Sequence, residues 1–168
     1  SRANKTVWIF TIVYFGITIA AFFCYWIAGM EPFDALNHAF SVTATGGFST
    51  KNLSIASYNS TAINLITMFF MFVASIHFGI IYMVFATRSL KPLNNPVLKY
   101  YVSAIIVSAI LVSLSLKFQS AGFTWGQSFM TGFFHLISSI STTGFAISDN
   151  NTWPLFACII TILITIPC

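Results

Sequence analysis

Two short stretches rich in threonine and glycine are the residues of this chain best suited to specific chemistry. They read Thr45-Gly46-Gly47-Phe48 and Thr142-Thr143-Gly144-Phe145. Backbone carbonyl oxygens in such a stretch can replace the hydration shell of a cation. Successive carbonyls that point one way require backbone angles that a Cβ atom disfavours, which explains the glycines. Neither stretch contains a carboxylate, so the sequence predicts main-chain oxygens as ligands.

The two stretches belong to an internal repeat with an offset of 97 residues, the separation of His38 and His135. Five of eleven aligned positions are identical, in the shared pattern His-x6-Thr-x-Gly-Phe. A single glycine after a short helix is typical of an ordinary helix C-cap. The same motif twice in register instead predicts a repeated structural unit. We expect His38 and His135 to pack and hydrogen-bond behind the two stretches.

The composition is that of a membrane protein. Of the 168 residues, 57% are hydrophobic and 6% are charged, whereas soluble domains carry about 25% charged residues. A soluble enzyme, a disordered tail and a nucleic-acid-binding domain are therefore excluded. The net charge of +4 is too small for a phosphate-binding surface, so nucleic acid is not an expected partner. The apolar composition instead predicts membrane lipid as the partner. The three cysteines lie in apolar runs and are expected to be small buried hydrophobes.

Apolar runs separate into two length classes. Four are predicted as membrane spans, the last of them incomplete: residues 7–27, 61–85, 100–116 and 154–168. Two others, residues 32–43 and 129–140, are too short to span and are predicted to be re-entrant helices that precede the glycine stretches. His77 lies inside the second span, where a pore-facing role and a packing role are both open. Because the last apolar run has no polar flank, we expect the chain to be part of a longer protein.

The elements group into two units and a linker. Residues 1–86 form the first unit, residues 87–99 a linker, and residues 100–168 a second unit that stops within its last helix. The positive-inside rule predicts that the linker and the N-terminus are cytoplasmic, because these two segments contain five basic residues: Arg2, Lys5, Arg88, Lys91 and Lys99. Both glycine stretches are then predicted to approach from the outer face.

The glycine stretches and their flanks resemble the filter loops of a known family. Residues 41–50 (SVTATGGFST) and 138–145 (SSISTTGF) are similar to those of the Trk/Ktr/HKT potassium transporter superfamily, most of all the bacterial TrkH type. The resemblance covers nearly the whole chain and implies an all-α membrane protein. Members carry four units of helix M1, pore helix and helix M2 around a pseudo-fourfold pore. This chain resembles the second and third units.

The resemblance also implies a site and a function. The filter residues would be Thr45, Gly46, Gly47, Thr142, Thr143 and Gly144. Their backbone carbonyls would bind K⁺ as the transported ion, with no cofactor and no enzymatic activity. The protein would be the pore-forming subunit of a potassium uptake system, multi-pass in the bacterial inner (plasma) membrane. Implied partners are the remaining units of the full chain, a second copy in a homodimer and a cytoplasmic nucleotide-binding ring subunit.

Other functions stay open from the sequence alone. A sodium-conducting member of the same superfamily would share these motifs. Tetrameric K⁺ channels use a longer Thr-x-Gly-Tyr-Gly filter, which this chain lacks. A polytopic membrane enzyme or assembly factor is the alternative from another class, although the sequence holds no HExxH motif or Ser/His/Asp constellation. The intramembrane gate of TrkH-type proteins would begin near Pro167 and Cys168.

Overall fold

The computed structural model describes residues 2–76, 78–119, 124–149 and 153–165, and within these ranges the regular structure is entirely helical. The predicted roles of His77, Pro167 and Cys168 lie outside the described residues. There are seven α-helices in these ranges: α1 (Arg2–Ile27), α2 (Pro32–Thr43), α3 (Thr61–Ser75), α4 (Phe78–Thr87), α5 (Pro96–Gln119), α6 (Trp125–Ile140) and α7 (Leu155–Thr165). Two 3₁₀ turns, Ser54–Tyr58 and Lys91–Leu93, lie in the connections.

Helices α1 and α5 meet the length and hydropathy expected of membrane spans. Their apolar cores, Val7–Ile27 and Leu98–Phe118, are 21 residues each with mean hydropathies of 2.2 and 2.0. Much of this apolar surface points outward, as with Trp8, which is 66% exposed. Exposed apolar side chains along a whole helix are stable in contact with lipid. Helices α3 and α7 are also apolar but shorter.

The structure divides the span predicted for residues 61–85 into two helices, α3 and α4. Helix α3 ends at Ser75, and Ile76 adopts an extended conformation with φ −76° and ψ 137°. The Ser75 hydroxyl donates to the carbonyl of Phe72 at 2.6 Å and accepts from the Tyr101 hydroxyl at 2.9 Å. A serine that bonds back to its own helix and recruits a neighbouring helix is a recognised cause of helix breaks.

The two short helices form where the sequence predicts them. Helix α2 has the predicted bounds, with Pro32 in its first turn, where the missing N–H costs nothing. Helix α6 begins at Trp125, four residues before the predicted start, because Thr124 and Gln127 form a capping box. Helix α2 packs on α1 and α3, whereas α6 packs on α5 and on α3 of the first unit. Helix α6 therefore contacts helices from both of the predicted units.

Close contact between α5 and α6 depends on Gly132. A Cβ atom at this position would collide with the Ser113 hydroxyl and would lie 3.1 Å from the Ser113 backbone nitrogen. Both residues are buried, and Ser113 is 1% exposed. Small residues at a helix crossing let two backbones approach closely, which is the main source of packing energy between helices in lipid.

We therefore expect Gly132→Ala to destabilise the full-length protein by about 1–3 kcal/mol, the usual cost of overpacking. Thermal denaturation of the purified protein measures the effect. Gly126→Ala is the matched control, because Gly126 lies in the same helix and its Cβ would meet open space. Equal melting temperatures for the two variants would contradict the close packing of α5 on α6.

Candidate functional site

The two glycine stretches leave their helices through three matching backbone hydrogen bonds. In the first, the N–H groups of Ala44, Thr45 and Gly46 donate to carbonyls of Phe40, Val42 and Ser41. In the second, the N–H groups 97 residues later donate to the corresponding carbonyls: Ser141 to Ile137, Thr142 to Ser139 and Thr143 to Ser138. The sequence repeat is thus matched in these three hydrogen bonds, and the second stretch adds one more, from the Gly144 N–H to the Ser138 carbonyl at 3.3 Å. We call residues 44–48 loop 1 and residues 141–145 loop 2.

Both loops reverse direction through left-handed backbone conformations at matching positions. Thr45 and Thr142 have φ values of 50° and 54°, and Gly47 and Gly144 have φ values of 67° and 87°. A positive φ is unusual for a β-branched residue such as threonine. Glycine adopts it freely. The motif therefore needs its glycine at the second reversal, where the chain turns away from the helix end.

This geometry leaves the loop carbonyls free. Within the described residues, no hydrogen bond is directed to the carbonyl oxygens of the six predicted filter residues. Their N–H groups are partly consumed by the helix caps, so the loops offer acceptors and few donors. The C-terminal ends of α2 and α6 add a partial negative charge close to the loops. Free acceptors at this end of a helix suit a cation.

Loops 1 and 2 meet. A Cβ atom on Gly47 would collide with the carbonyl oxygen of Thr143 and would lie 3.2 Å from the carbonyl carbon of Gly144. The structure thus brings the two predicted filter stretches side by side. Gly46, Thr142 and Gly144 are exposed, and Thr45 and Gly47 are half-buried. The Thr143 side chain is buried, with its hydroxyl 2.8 Å from that of Ser141.

Asp34 anchors the segment that follows loop 1. Its carboxylate accepts hydrogen bonds from the Thr50 hydroxyl at 2.7 Å and the Tyr58 hydroxyl at 2.9 Å. It also forms an ion pair with Lys51 at 3.1 Å, and the Asp34 side chain is only 7% exposed. One residue in the first turn of α2 therefore ties together the loop exit and the following 3₁₀ turn.

Ionisation in this cluster follows from its hydrogen bonds and burial. The Thr50 hydroxyl bond lowers the pKa of the Asp34 carboxyl, with further help from Lys51 and Tyr58, although burial opposes the shift. Burial raises the pKa of the Tyr58 phenol to about 12, and the neighbouring Asp34 carboxylate contributes in the same direction. The stable state is an ionised Asp34 with a neutral Tyr58 as donor.

Each of the two histidines hydrogen-bonds to the chain segment that follows its loop. The Nδ1 atom of His38 lies 2.8 Å from the carbonyl oxygen of Asp34, and its Nε2 atom lies 2.9 Å from the Ser49 hydroxyl. A carbonyl only accepts, so Nδ1 carries the proton and Nε2 is free to accept from Ser49. His135 accepts through Nε2 from the backbone N–H groups of Ile147 and Ser148, each at 3.3 Å. The packing role predicted for both histidines fits these contacts.

A shallow groove lies against loop 2 on the side of α7. Its walls include Thr142 and Gly144 from the loop and two threonines of α7, Thr161 and Thr165. The hydroxyls of both threonines donate to carbonyls one turn earlier in α7, at 2.9 and 2.7 Å. Their oxygen atoms keep a lone pair for a solvated ion or water. Sequence reasoning missed these two residues, although their i, i+4 spacing in an apolar helix places them on one face.

Comparison with known proteins assigns the chain to a family. Residues 2–166 match the family model described as TrkH, cation transport protein. The chain belongs to the TrkH family. It is 30% identical over 157 residues to the Trk system potassium uptake protein TrkH of Escherichia coli K12, and 32% identical over 160 residues to TrkH of Vibrio parahaemolyticus. Each alignment covers 93% of this chain and 32% of the relative.

The solved structures agree with this assignment. The crystal structure of the potassium transporter TrkH from Vibrio parahaemolyticus superposes with a TM-score of 0.90 at 30% identity, covering 97% of this chain and 36% of that one. This TrkH-family chain therefore spans about a third of the length of the relatives that it matches. The predicted all-helical transporter fold is confirmed, and the family is one of membrane transporters and not of enzymes.

Proposed function

We propose that the full-length protein is the pore-forming subunit of a potassium uptake system, and that loops 1 and 2 form part of its selectivity filter. The observation that carries this proposal is a pair of loops with three matching cap hydrogen bonds, carbonyls that accept no hydrogen bond among the described residues, and direct contact at Gly47 and Thr143. Carbonyl rings of this kind can substitute for the water around a potassium ion.

The chemistry of the ligands supports a monovalent ion. Calcium and magnesium ions are bound in proteins with the help of carboxylates, and neither loop supplies one. The carboxylate of Asp34 is engaged by Thr50, Tyr58 and Lys51, so it serves the structure of the loop exit. Neutral main-chain oxygens with a helix C-terminus behind them favour a cation of low charge.

Two threonines of α7 and further components of a Trk system belong to the proposed function. Thr161 and Thr165 line the groove beside loop 2 and would face the ion on its way to or from the filter. The relatives' names describe parts of a Trk system, which supports a multi-component assembly in the membrane. The inner-membrane location, the homodimer and the cytoplasmic nucleotide-binding ring stay predictions from the family resemblance.

Ion uptake by cells tests the proposed function. We expect the full-length protein, expressed in a bacterium that lacks its own potassium uptake systems, to restore growth at low K⁺ and to take up Rb⁺ as a tracer. Sodium should compete weakly, since the carbonyl ligands favour the larger ion. Gly126→Ala should behave as the unmodified protein, because its Cβ meets open space. Equal uptake of Na⁺ and K⁺ would instead favour the sodium-conducting alternative and contradict the proposal.

A further inference from the structure

Ser138, in the last turn of α6, holds loop 2 through both its carbonyl and its hydroxyl. The Ser138 carbonyl accepts hydrogen bonds from the backbone N–H groups of Thr143 at 3.0 Å and Gly144 at 3.3 Å. The Ser138 hydroxyl donates to the Phe145 carbonyl at 2.8 Å, and the residue is 2% exposed. A single buried residue therefore engages three consecutive residues of the loop.

The two bonds to the Ser138 carbonyl also fix the direction of loop carbonyls. In a trans peptide unit, the N–H group and the carbonyl of the preceding residue point in opposite directions. The Thr143 N–H points towards Ser138, so the Thr142 carbonyl points away from it. The Gly144 N–H points the same way, so the Thr143 carbonyl is also directed away. The Thr143 carbonyl accordingly lies against loop 1, where a Cβ atom on Gly47 would collide with it.

The Phe145 carbonyl has the opposite orientation. It points back at the Ser138 hydroxyl, while the Ala146 N–H on the other side of the same peptide donates to the Ser54 hydroxyl at 3.4 Å. The Phe145 ring is also fixed, because it stacks on the imidazole of His38 with ring centroids 5.8 Å apart. The series of loop 2 carbonyls that are available to an ion is therefore interrupted at Phe145.

Loop 1 repeats the serine but not all of its bonds. The Ser41 carbonyl accepts from the Gly46 N–H at 2.8 Å, which is the counterpart of the bond from Thr143. Among the residues that the structure describes, no bond joins the Gly47 N–H to this carbonyl, and the Ser41 hydroxyl has no partner. Within the described chain, the serine hydroxyl therefore fixes a backbone carbonyl in loop 2 alone.

We propose that Ser138 is a positioning residue of the selectivity filter. Its carbonyl directs the Thr142 and Thr143 carbonyls outwards to the ion, and its hydroxyl withholds the carbonyl of the residue after Gly144. Selectivity in a carbonyl filter is attributed to the size of the cavity or to the number and field strength of its carbonyls. Release of the Phe145 carbonyl changes both, because its peptide can rotate and the loop can contract around Na⁺. This role rests on the proposed function of the two loops and adds the residue that determines which carbonyls are ligands.

Ser138→Ala tests this role, because it removes the hydroxyl bond to Phe145 and keeps the carbonyl that orients the loop. In the full-length protein we expect the ratio of K⁺ to Na⁺ uptake to fall about three- to tenfold, the factor that corresponds to the loss of one hydrogen bond. Ser128→Ala is the matched control and should leave the ratio unchanged. Ser128 is buried in the same helix, and its hydroxyl has no partner among the described residues. An unchanged ratio in Ser138→Ala would overturn the proposal.

A second pair of variants separates the hydroxyl from the volume of the side chain. Ser138→Thr and Ser138→Val introduce side chains of the same shape, and only threonine keeps the hydroxyl. We expect the threonine variant to retain a higher ratio of K⁺ to Na⁺ uptake than the valine variant. Equal ratios would contradict a role for the hydroxyl, whatever the added methyl group does to stability.

Amide hydrogen exchange measures the same bond without ion flux. We expect the Ala146 N–H to exchange about threefold faster or more in Ser138→Ala, because the released peptide no longer holds this N–H on Ser54. Ser128→Ala should exchange as the unmodified protein does. Unchanged exchange at Ala146 in Ser138→Ala would overturn the proposal. If the unmodified protein takes up no K⁺, the proposed function fails, and exchange still decides whether Ser138 fixes the Phe145 carbonyl.

Discussion

Gly47→Ser is expected to abolish most of the discrimination between K⁺ and Na⁺, with a larger effect than Gly144→Ser. Both glycines have positive φ, so serine at either position costs about 1–2 kcal/mol of backbone strain. At Gly47 the new Cβ would also collide with the Thr143 carbonyl, whereas at Gly144 it meets open space. Gly47→Ser therefore displaces carbonyls of both loops at once, and Gly144→Ser distorts one loop.

The dependence of uptake rate on K⁺ concentration, with Na⁺ as competitor, measures this difference. A loss of about 1.4 kcal/mol in binding corresponds to a tenfold weaker apparent affinity. We expect at least that for Gly47→Ser and a smaller loss for Gly144→Ser. Gly126→Ser controls for general effects of serine at a glycine position, because its Cβ meets open space. Unchanged affinity and selectivity in both loop variants would remove these loops from the filter.

Asp34→Asn is expected to loosen the exit of loop 1. The amide retains one acceptor oxygen where the carboxylate serves Thr50, Tyr58 and Lys51 together. Loss of hydrogen bonds to a charged acceptor at a buried position costs about 1–3 kcal/mol. The variant should melt at a lower temperature and take up K⁺ with weaker apparent affinity, because the backbone after Phe48 is no longer held.

The same carboxylate predicts a pH dependence with a defined sign. The pKa of Asp34 is lowered in the folded protein, so its contribution to stability is present above the ordinary pKa of an aspartate, about 3.9, and is lost as pH falls through the lowered value. The difference in melting temperature between the unmodified protein and Asp34→Asn should therefore shrink with acidification below pH ~4. Glu31→Gln, one turn earlier and exposed, is the control. A difference that stays constant down to pH ~2 would contradict an ionised Asp34 as the anchor.

Local sequence signals were sufficient to predict the helices that position the loops. Pro32 and the following periodic apolar residues set the start of α2, and the repeated Thr-x-Gly-Phe motif marks where α2 and α6 end. The break after Ser75 could not be predicted in this way. The Ser75 hydroxyl at this break accepts from Tyr101, a partner distant in sequence that no local pattern indicates.

The residues that hold the two loops in place could not be predicted from the loop sequences either. Loop 1 depends on Asp34 and loop 2 on Ser138 and His135, although the loop sequences are closely alike. Position 34 corresponds by repeat to Thr131, so the anchor has no counterpart in the shared pattern. Phe48 is 81% exposed and Phe145 is 2% exposed. Because both residues end the same motif, this difference in exposure could not be predicted from the sequence.

Anomalous scattering from Rb⁺ provides the most direct test of an ion bound by the loop carbonyls. Crystals of the full-length protein grown with Rb⁺ in place of K⁺ locate the ion at its absorption edge. We expect a peak within coordination distance of the carbonyls near Gly47, Thr143 and Gly144, and its loss in Gly47→Ser. Ordered Rb⁺ found only away from both loops, with the loops themselves well resolved, would contradict this expectation.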